Sequence, residues 1–230
     1  MQQEFQFPKG RGGRRERAGR RRGTRVSHHA RPQFEKATPV HVTVRVRRHV
    51  WNLRSRRCYR RVGECLEEAV CRFGLRVIEY SVMGNHIHLI VEADDATALT
   101  RGMQGLSIRI AKSLNALMGR SGRIFDDHYD GRLLKTPTEL VRAIAYVLRN
   151  HEHHFGAVGR DPFSSDGLAA DHRRARLAIP ISWLLTVGWR RASLADQHRL
   201  QDSAFAHDED RLGRSIEFGR EYDRPPRCRR

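Results

Sequence analysis

Two histidines, His86 and His88, alternate with the apolar residues Ile87, Leu89 and Val91. Successive side chains of a β-strand point to opposite faces, so both imidazoles would lie on one face, about 6–7 Å apart. Two imidazoles fixed on a rigid strand could ligate a metal ion. The same spacing is also typical of polar residues on a solvated strand face, so the pair by itself leaves both interpretations open.

The second candidate group lies on a helix that is predicted from its N-terminal signals. Pro137 stands in the first turn, and Thr136 with Glu139 forms a capping box, so we expect a helix from there to about residue 150. At about 100° per residue, the apolar side chains fall within one arc of about 120°; they are Leu140, Val141, Ile144, Val147 and Leu148. This arc predicts the face that is buried in the core.

Tyr146 lies nearly opposite that apolar arc, one turn before Asn150, with Arg142 and Arg149 as neighbours. An amide oxygen can complete a metal coordination shell, and a tyrosine hydroxyl can attack a phosphorus atom. Because a free tyrosine has a pKa of about 10, this attack would need a metal ion or cationic groups close by. An exposed surface tyrosine without a chemical role fits the same pattern.

The elements around these residues follow from apolar periodicity and turn signals. We expect strands over 40–47, 75–82 and 86–92, the last two joined by the tight turn Gly84-Asn85, and helices over 59–73, 95–118 and 136–150. This order predicts an α+β sandwich, with a small antiparallel sheet and helices packed on one face. Beyond residue 156 the pattern weakens, with a short helix expected over 181–191.

Composition limits the classes of function. The chain has 230 residues, and 44 Lys and Arg against 26 Asp and Glu give a net charge of +18, which favours a polyanionic partner. The most apolar stretch, 177–189, contains Pro180 and is shorter than a membrane span of about 20 residues. The four cysteines form no CxxC pair, so a zinc knuckle or a disulfide framework is not expected, and the location is predicted to be cytoplasmic.

Three segments are expected along the chain. Residues 1–37 form a basic arm with little apolar material, predicted to be disordered. Residues 38–156 form the folded domain, and residues 157–230 form a C-terminal extension that is partly helical and then disordered.

The strand motif Gly84-Asn85-His86-Ile87-His88-Leu89, followed by a capped helix with Tyr146-Val147-Leu148-Arg149-Asn150, resembles the single-tyrosine HUH transposases of small bacterial insertion sequences. It is most similar to a related group, the REP-associated tyrosine transposases. The resemblance covers about residues 38–155 and implies a ferredoxin-like or RRM-like sandwich.

The resemblance also implies a role for each matching residue. His86, His88 and Asn150 would hold a divalent ion, Mg²⁺ or Mn²⁺, and Tyr146 would be the nucleophile. It would attack single-stranded or hairpin DNA, giving a 5′-phosphotyrosine link and a free 3′-OH, which is then rejoined. Relatives act either alone or as homodimers, and the enzyme would be associated with the bacterial nucleoid.

Six further residues are candidates for the site or its surroundings. Tyr129 is an alternative nucleophile, although it lacks a regular helix and a neighbouring Asn. Glu92 lies on the histidine face and is expected either to end its strand in solvent or to lie near the metal. Four basic residues on the polar faces of the two long helices are expected to contact DNA phosphates: Arg109, Lys112, Arg142 and Arg149.

Two other functions are compatible with the same residues. A non-catalytic nucleic-acid-binding protein would leave the histidines and Tyr146 without a chemical role. A metal-dependent phosphodiesterase that uses water would need the histidines but not Tyr146.

Overall fold

The computed structural model describes residues 33–156, 158–208 and 212. Most of the predicted basic arm, residues 1–32, lies outside the described residues, as does most of the chain after 208. The prediction of an α+β fold with an antiparallel sheet is confirmed. The strands and helices are β1 (Thr38–Arg45), α1 (Arg56–Ala69), β2 (Cys71–Arg72), β3 (Leu75–Val82), β4 (His86–Ala93), α2 (Ala96–Leu117), β5 (Asp130–Leu133), α3 (Pro137–Phe155), α4 (Ala170–Arg176), α5 (Trp183–Thr186) and α6 (Leu194–Gln197).

The strands form one five-stranded antiparallel sheet in the order β2-β3-β4-β1-β5. β1 lies between β4 and β5, so the N-terminal strand is internal to the sheet. Helices α1 and α2 cover one face, where alternate valines of β1 and the odd-numbered apolar residues of β4 form a core with the apolar stripes of both helices. Alternation therefore sends His86 and His88 to the other face.

The sequence predicted helices on one face of the sheet, and this detail is wrong because α3 packs on the histidine face. A β-bulge between Val77 and Glu79 places an additional apolar residue, Ile78, on that face. Together with Ile90 it forms a small apolar area, against which the arc of α3 that includes Ile144 is buried. The apolar arc of α3 itself was predicted correctly, and its burial on this face brings the helix next to the histidines.

Side-chain caps fix where the long helices begin. Ser55, Asp95 and Thr136 each accept a hydrogen bond from the backbone N–H three residues later, which satisfies one free donor of the first turn. The predicted start of α3 is therefore confirmed. The helix continues five residues beyond its expected end and stops at Gly156, whose φ of 64° is the left-handed conformation that glycine adopts readily.

The described part of the C-terminal segment packs against α3. Leu185 and Phe205 are fully buried in the same apolar cluster as Ile144. Instead of one helix over 181–191, this segment forms α5 and a 3₁₀ turn over Gly188–Arg191. None of the described helices is long and apolar enough to cross a bilayer.

Glu92 connects the sheet to the C-terminal segment. Its carboxylate is fully buried, accepts a hydrogen bond from the Arg76 guanidinium, and accepts two more from the backbone N–H groups of Ile181 and Ser182. The sequence predicted that Glu92 either ends its strand in solvent or lies near a metal, and the structure shows neither. The role of Glu92 is to hold residues 181–182 against the strand.

Replacing Glu92 with alanine is expected to lower the free energy of unfolding by about 3–5 kcal/mol, because Arg76 would lose the partner of a buried charge. Urea denaturation followed by circular dichroism measures this loss. The control is Asp94→Ala, which removes the half-exposed second carboxylate of Arg76 and should cost less than about 1 kcal/mol. Equal effects of the two substitutions would contradict this role for Glu92.

Candidate active site

The histidine face of the sheet is built from two adjacent strands. In the antiparallel register of β1 with β4, Thr43 lies opposite His88, Arg45 opposite His86, and His41 opposite Ile90. The polar residues of β1 therefore share a face with the two histidines. The valines between them point into the core on the other side.

His88 is held by its neighbours on β1. Its Nδ1 atom lies 3.0 Å from the Thr43 hydroxyl and 3.2 Å from Nε2 of His41. Its other nitrogen, Nε2, is buried and has no hydrogen-bond partner among the described residues. A metal-ligating histidine typically uses one nitrogen for an orienting hydrogen bond and the other for the metal, and His88 has this arrangement.

His86 is oriented in a comparable way. Its Nδ1 lies 2.7 Å from the side-chain oxygen of Asn85, and since that oxygen only accepts, the imidazole nitrogen donates. Nε2 of His86 then keeps its lone pair. The rings of His86 and His88 are 4.7 Å apart between centroids and nearly perpendicular.

Both imidazoles are kept neutral by their surroundings. Burial, together with the charge of Arg45, lowers the pKa of His86 to about 4. Burial, and then the neighbouring His86 and His41, lowers the pKa of His88 to about 3. Burial also lowers the pKa of His41. At neutral pH the two candidate ligands therefore need not lose a proton before they bind a cation.

Helix α3 brings Tyr146 to this cluster. Its ring centroid lies 5.3 Å from that of His88 and 5.9 Å from that of His41, in both cases edge to face. Tyr146 nevertheless keeps 44% of its side chain exposed. A phenol that touches the histidines and is open to solvent can be reached by a substrate.

Asn150 lies on the same stripe of α3. Tyr146 and His154 are each four residues from Asn150, and both contact the histidines, since the His154 ring is 6.0 Å from that of His86. Asn150 is 1% exposed, and its side-chain nitrogen is buried without a hydrogen-bond partner among the described residues. The amide is therefore not committed to another contact and can present its oxygen to the site.

These residues fit a divalent cation. Two neutral imidazoles and an amide oxygen form a mixed nitrogen and oxygen donor set, which suits Mn²⁺ better than the harder Mg²⁺. Within the described residues, no cluster of three or more His, Cys, Asp and Glu side chains has metal-binding geometry. The third candidate donor, Asn150, is an amide, which that kind of cluster does not include.

The four basic residues expected to contact phosphate either face carboxylates of the C-terminal segment or lie on the helix side of the sheet away from the histidines. Arg142 pairs with Asp196, and the guanidinium of Arg149 is 3.9 Å from Asp202. Arg109 pairs with Glu68 and, like the exposed Lys112, belongs to α2 on the opposite side of the sheet. The positions of these four residues on the polar helix faces predicted that their side chains are exposed. Exposure does not show whether a charged side chain has an ion-pair partner.

Tyr129 lies on the other face of the sheet from the histidines. Its side chain is 8% exposed and belongs to the core cluster formed with α1 and α2. Its ring packs beside Gly131 of β5. This placement disfavours Tyr129 as the nucleophile and leaves Tyr146 as the candidate.

Four site residues were not identified from the sequence: His41, Thr43, Arg45 and His154. The first two alternate with valines, as His86 and His88 alternate with their apolar neighbours, so their face was predictable but their strand partner was not. Arg45 is exposed, and its side chain has no hydrogen bond or ion pair among the described residues. It is a free cation at the edge of the site.

Comparison with known proteins finds a similar family for part of the chain. The family described as "Transposase IS200 like" matches residues 36–131, which include both histidines. Over these residues the chain is similar to an IS200-like transposase domain. The match ends before α3, so the assignment of Tyr146 depends on its contacts with His41 and His88, and that of Asn150 on its position along α3. No curated protein matches the sequence.

One solved structure supports the fold, and a second is given for comparison only. A REP-associated tyrosine transposase bound to a REP hairpin is 18% identical, with a TM-score of 0.50, and the match covers 68% of this chain and 92% of that one. A transposase assigned in Deinococcus radiodurans R1 is 13% identical, with a TM-score of 0.38, covering 46% of this chain and 86% of the other.

Proposed function

We propose that this transposase cleaves and rejoins single-stranded or hairpin DNA, and that residues 38–156 carry the activity with Tyr146 as the nucleophile. The observation that carries the proposal is the contact of the exposed Tyr146 ring with His88, whose buried Nε2 has no hydrogen-bond partner among the described residues. The similar fold of a tyrosine transposase that binds a REP hairpin supports DNA as the partner. The net charge of +18 is consistent with a polyanionic substrate that is bound through its phosphates.

The reaction would proceed by transesterification. The Tyr146 hydroxyl loses its proton and attacks the phosphorus of a phosphodiester, and the bond from phosphorus to the 3′-oxygen breaks. That oxygen takes up a proton and leaves as a 3′-OH, while the 5′-phosphate remains bound to the tyrosine. Rejoining is the reverse attack by a 3′-OH, which restores the free tyrosine.

The chain itself positions the reacting groups. His86, His88 and Asn150 would hold Mg²⁺ or Mn²⁺, which when bound polarises the scissile phosphate. The fixed backbone of α3 orients Tyr146, and the hydrogen bonds of His88 to β1 orient the imidazole. Because Tyr146 contacts the histidines of its own chain, each chain would contain a complete site without a second copy. Acting on chromosomal DNA, the enzyme would work in the cytoplasm in association with the nucleoid.

A covalent-adduct assay tests this proposal. The purified protein is mixed with labelled hairpin DNA that has single-stranded tails, in Mn²⁺ or Mg²⁺, and boiled in detergent before a denaturing gel. A labelled band that migrates with the protein is expected. Cleavage without such a band would indicate attack by water, and binding without cleavage would indicate a non-catalytic nucleic-acid-binding protein.

Arg45→Ala is expected to lower kcat/KM for cleavage by about 10- to 100-fold, because a charge-assisted contact to phosphate contributes about 1.5–3 kcal/mol. This cation has no hydrogen-bond or ion-pair partner among the residues that the structure describes, and it is close enough to His86 to lower the pKa of that imidazole. The matched control is Arg101→Ala, which removes an exposed arginine from α2 on the other side of the sheet. Single-turnover cleavage rates measure both, and equal losses would contradict a local role for Arg45.

A further inference from the structure

Phe155, the last residue of α3, exposes 56% of its side chain although its ring is held in place. The guanidinium of Arg54 lies 4.8 Å from the centroid of this ring. Arg54 is itself fixed, since it makes two hydrogen bonds to the buried carboxylate of Asp161 and a third to the carbonyl of Val82. The exposed surface of Phe155 is therefore presented to solvent by a rigid support.

This ring lies at one end of the candidate active site. It neighbours the ring of His154, at 6.3 Å, and His154 in turn contacts His86. Arg54 binds the end of β3, close to the tight turn that leads into His86. Along α3, Phe155 is nine residues from Tyr146, a rise of about 13 Å. That distance corresponds to about four stacked nucleotides at about 3.4 Å each.

We propose that Phe155, supported by Arg54, is a stacking platform for one unpaired nucleobase that lies within about four nucleotides of the scissile phosphate on the same DNA strand. This inference rests on the proposed function, since it requires a single strand at the histidines. An aromatic ring binds any base through its π-face, and stacking of one base on such a ring typically contributes 5- to 150-fold in affinity. The ring is already held in position, so little side-chain freedom is lost when the base binds.

Phe73 provides a matched control. It is also an exposed phenylalanine, at 43%, with an arginine guanidinium 5.6 Å from its ring. It lies in the turn between β2 and β3, beside the end of β4 that is opposite to His86. β4 has eight residues, so the end beside Phe73 lies about 23 Å from His86.

The experiment measures DNA binding in the Tyr146→Phe background without metal, so that cleavage does not interfere. The probes are fluorescein-labelled DNA hairpins with a tail of eight thymidines on the 5′ or the 3′ side. In further probes, one of the first four tail bases is replaced by an abasic site. Fluorescence anisotropy gives the Kd of each protein for each probe.

Phe155→Ala is expected to weaken binding of the intact probe about 5- to 150-fold. For the abasic probe that lacks the stacked base, the parent and Phe155→Ala should bind equally, because the ring and the base act as one pair. Phe155→Trp should retain tight binding, and Phe73→Ala should bind like the parent. The stacking role would be overturned if Phe155→Ala raised the Kd by the same factor for the intact probe and for every abasic probe. It would also be overturned if Phe155→Ala left the Kd unchanged.

The two proposals fail in distinguishable ways. If the parent protein binds none of the tailed hairpins, both the DNA partner and the stacking site are wrong. If the abasic series identifies one base that depends on Phe155 while the wild-type protein forms no covalent adduct, the stacking site stands and the covalent mechanism is wrong.

Discussion

Tyr146→Phe is expected to abolish the boiling-resistant protein–DNA adduct and to reduce strand cleavage by at least about 10³-fold. The substitution removes only the hydroxyl, so the ring contacts with His88 and His41 remain. Binding of hairpin DNA should change little, because the substitution leaves the basic surface intact. The denaturing gel and single-turnover cleavage measure the two effects on the same samples.

Tyr129→Phe is the control for this result. Tyr129 is the other tyrosine considered as nucleophile, and its ring is buried on the opposite face of the sheet. The variant should form the adduct at close to the wild-type rate. An adduct that survives Tyr146→Phe but is lost in Tyr129→Phe would refute the assignment of the nucleophile.

His88→Ala is expected to weaken binding of Mn²⁺ by at least about 100-fold and to reduce cleavage to a similar or greater extent. His88 is 5% exposed, and its buried Nε2 has no partner among the described residues, so a bound cation would satisfy it. Isothermal titration calorimetry of the DNA-free protein with Mn²⁺ gives the affinity directly. This readout does not depend on activity.

Two further variants separate metal binding from folding. His86→Ala alters the more exposed of the two candidate ligands and should give a comparable loss of affinity with less effect on the thermal midpoint. His49→Ala removes an exposed histidine outside the sheet and should leave Mn²⁺ binding unchanged. Wild-type affinity in both His86→Ala and His88→Ala would show that the metal is bound elsewhere.

The sequence pattern predicted the bounds of single strands and the start of a helix correctly, because these depend on residues close together in the chain. β3 was predicted with its observed bounds, and β4 to within one residue. The start of α3 followed from Thr136, Pro137 and Glu139, because capping depends on residues within one turn. Alternation along β4 placed His86 and His88 together, and helical spacing placed Tyr146 beside Asn150.

Electrostatic partners could not be read from the same pattern. Arg142 and Arg149 were expected to be free for phosphate, but they face Asp196 and Asp202, which lie more than 50 residues later. Arg45 was not predicted as a site residue, and it has no such partner among the described residues. A charge is paired or free according to which distant segment packs beside it, and helical or strand periodicity carries no information about that.

The sequence by itself determined that the chain has two sets of chemically capable side chains, one on a strand face and one on a helix face. Only the tertiary structure decided that these two faces meet in one chain. The bulge at Ile78 and the apolar Ile90 give α3 a surface to cover on the histidine side. Burial of the helix there brings Tyr146 to His88, while the pairing of β1 with β4 adds His41 and Thr43. Periodicity is set by neighbouring residues, but the choice of face and of strand partner is set by contacts between distant segments, and these form only when the whole chain packs.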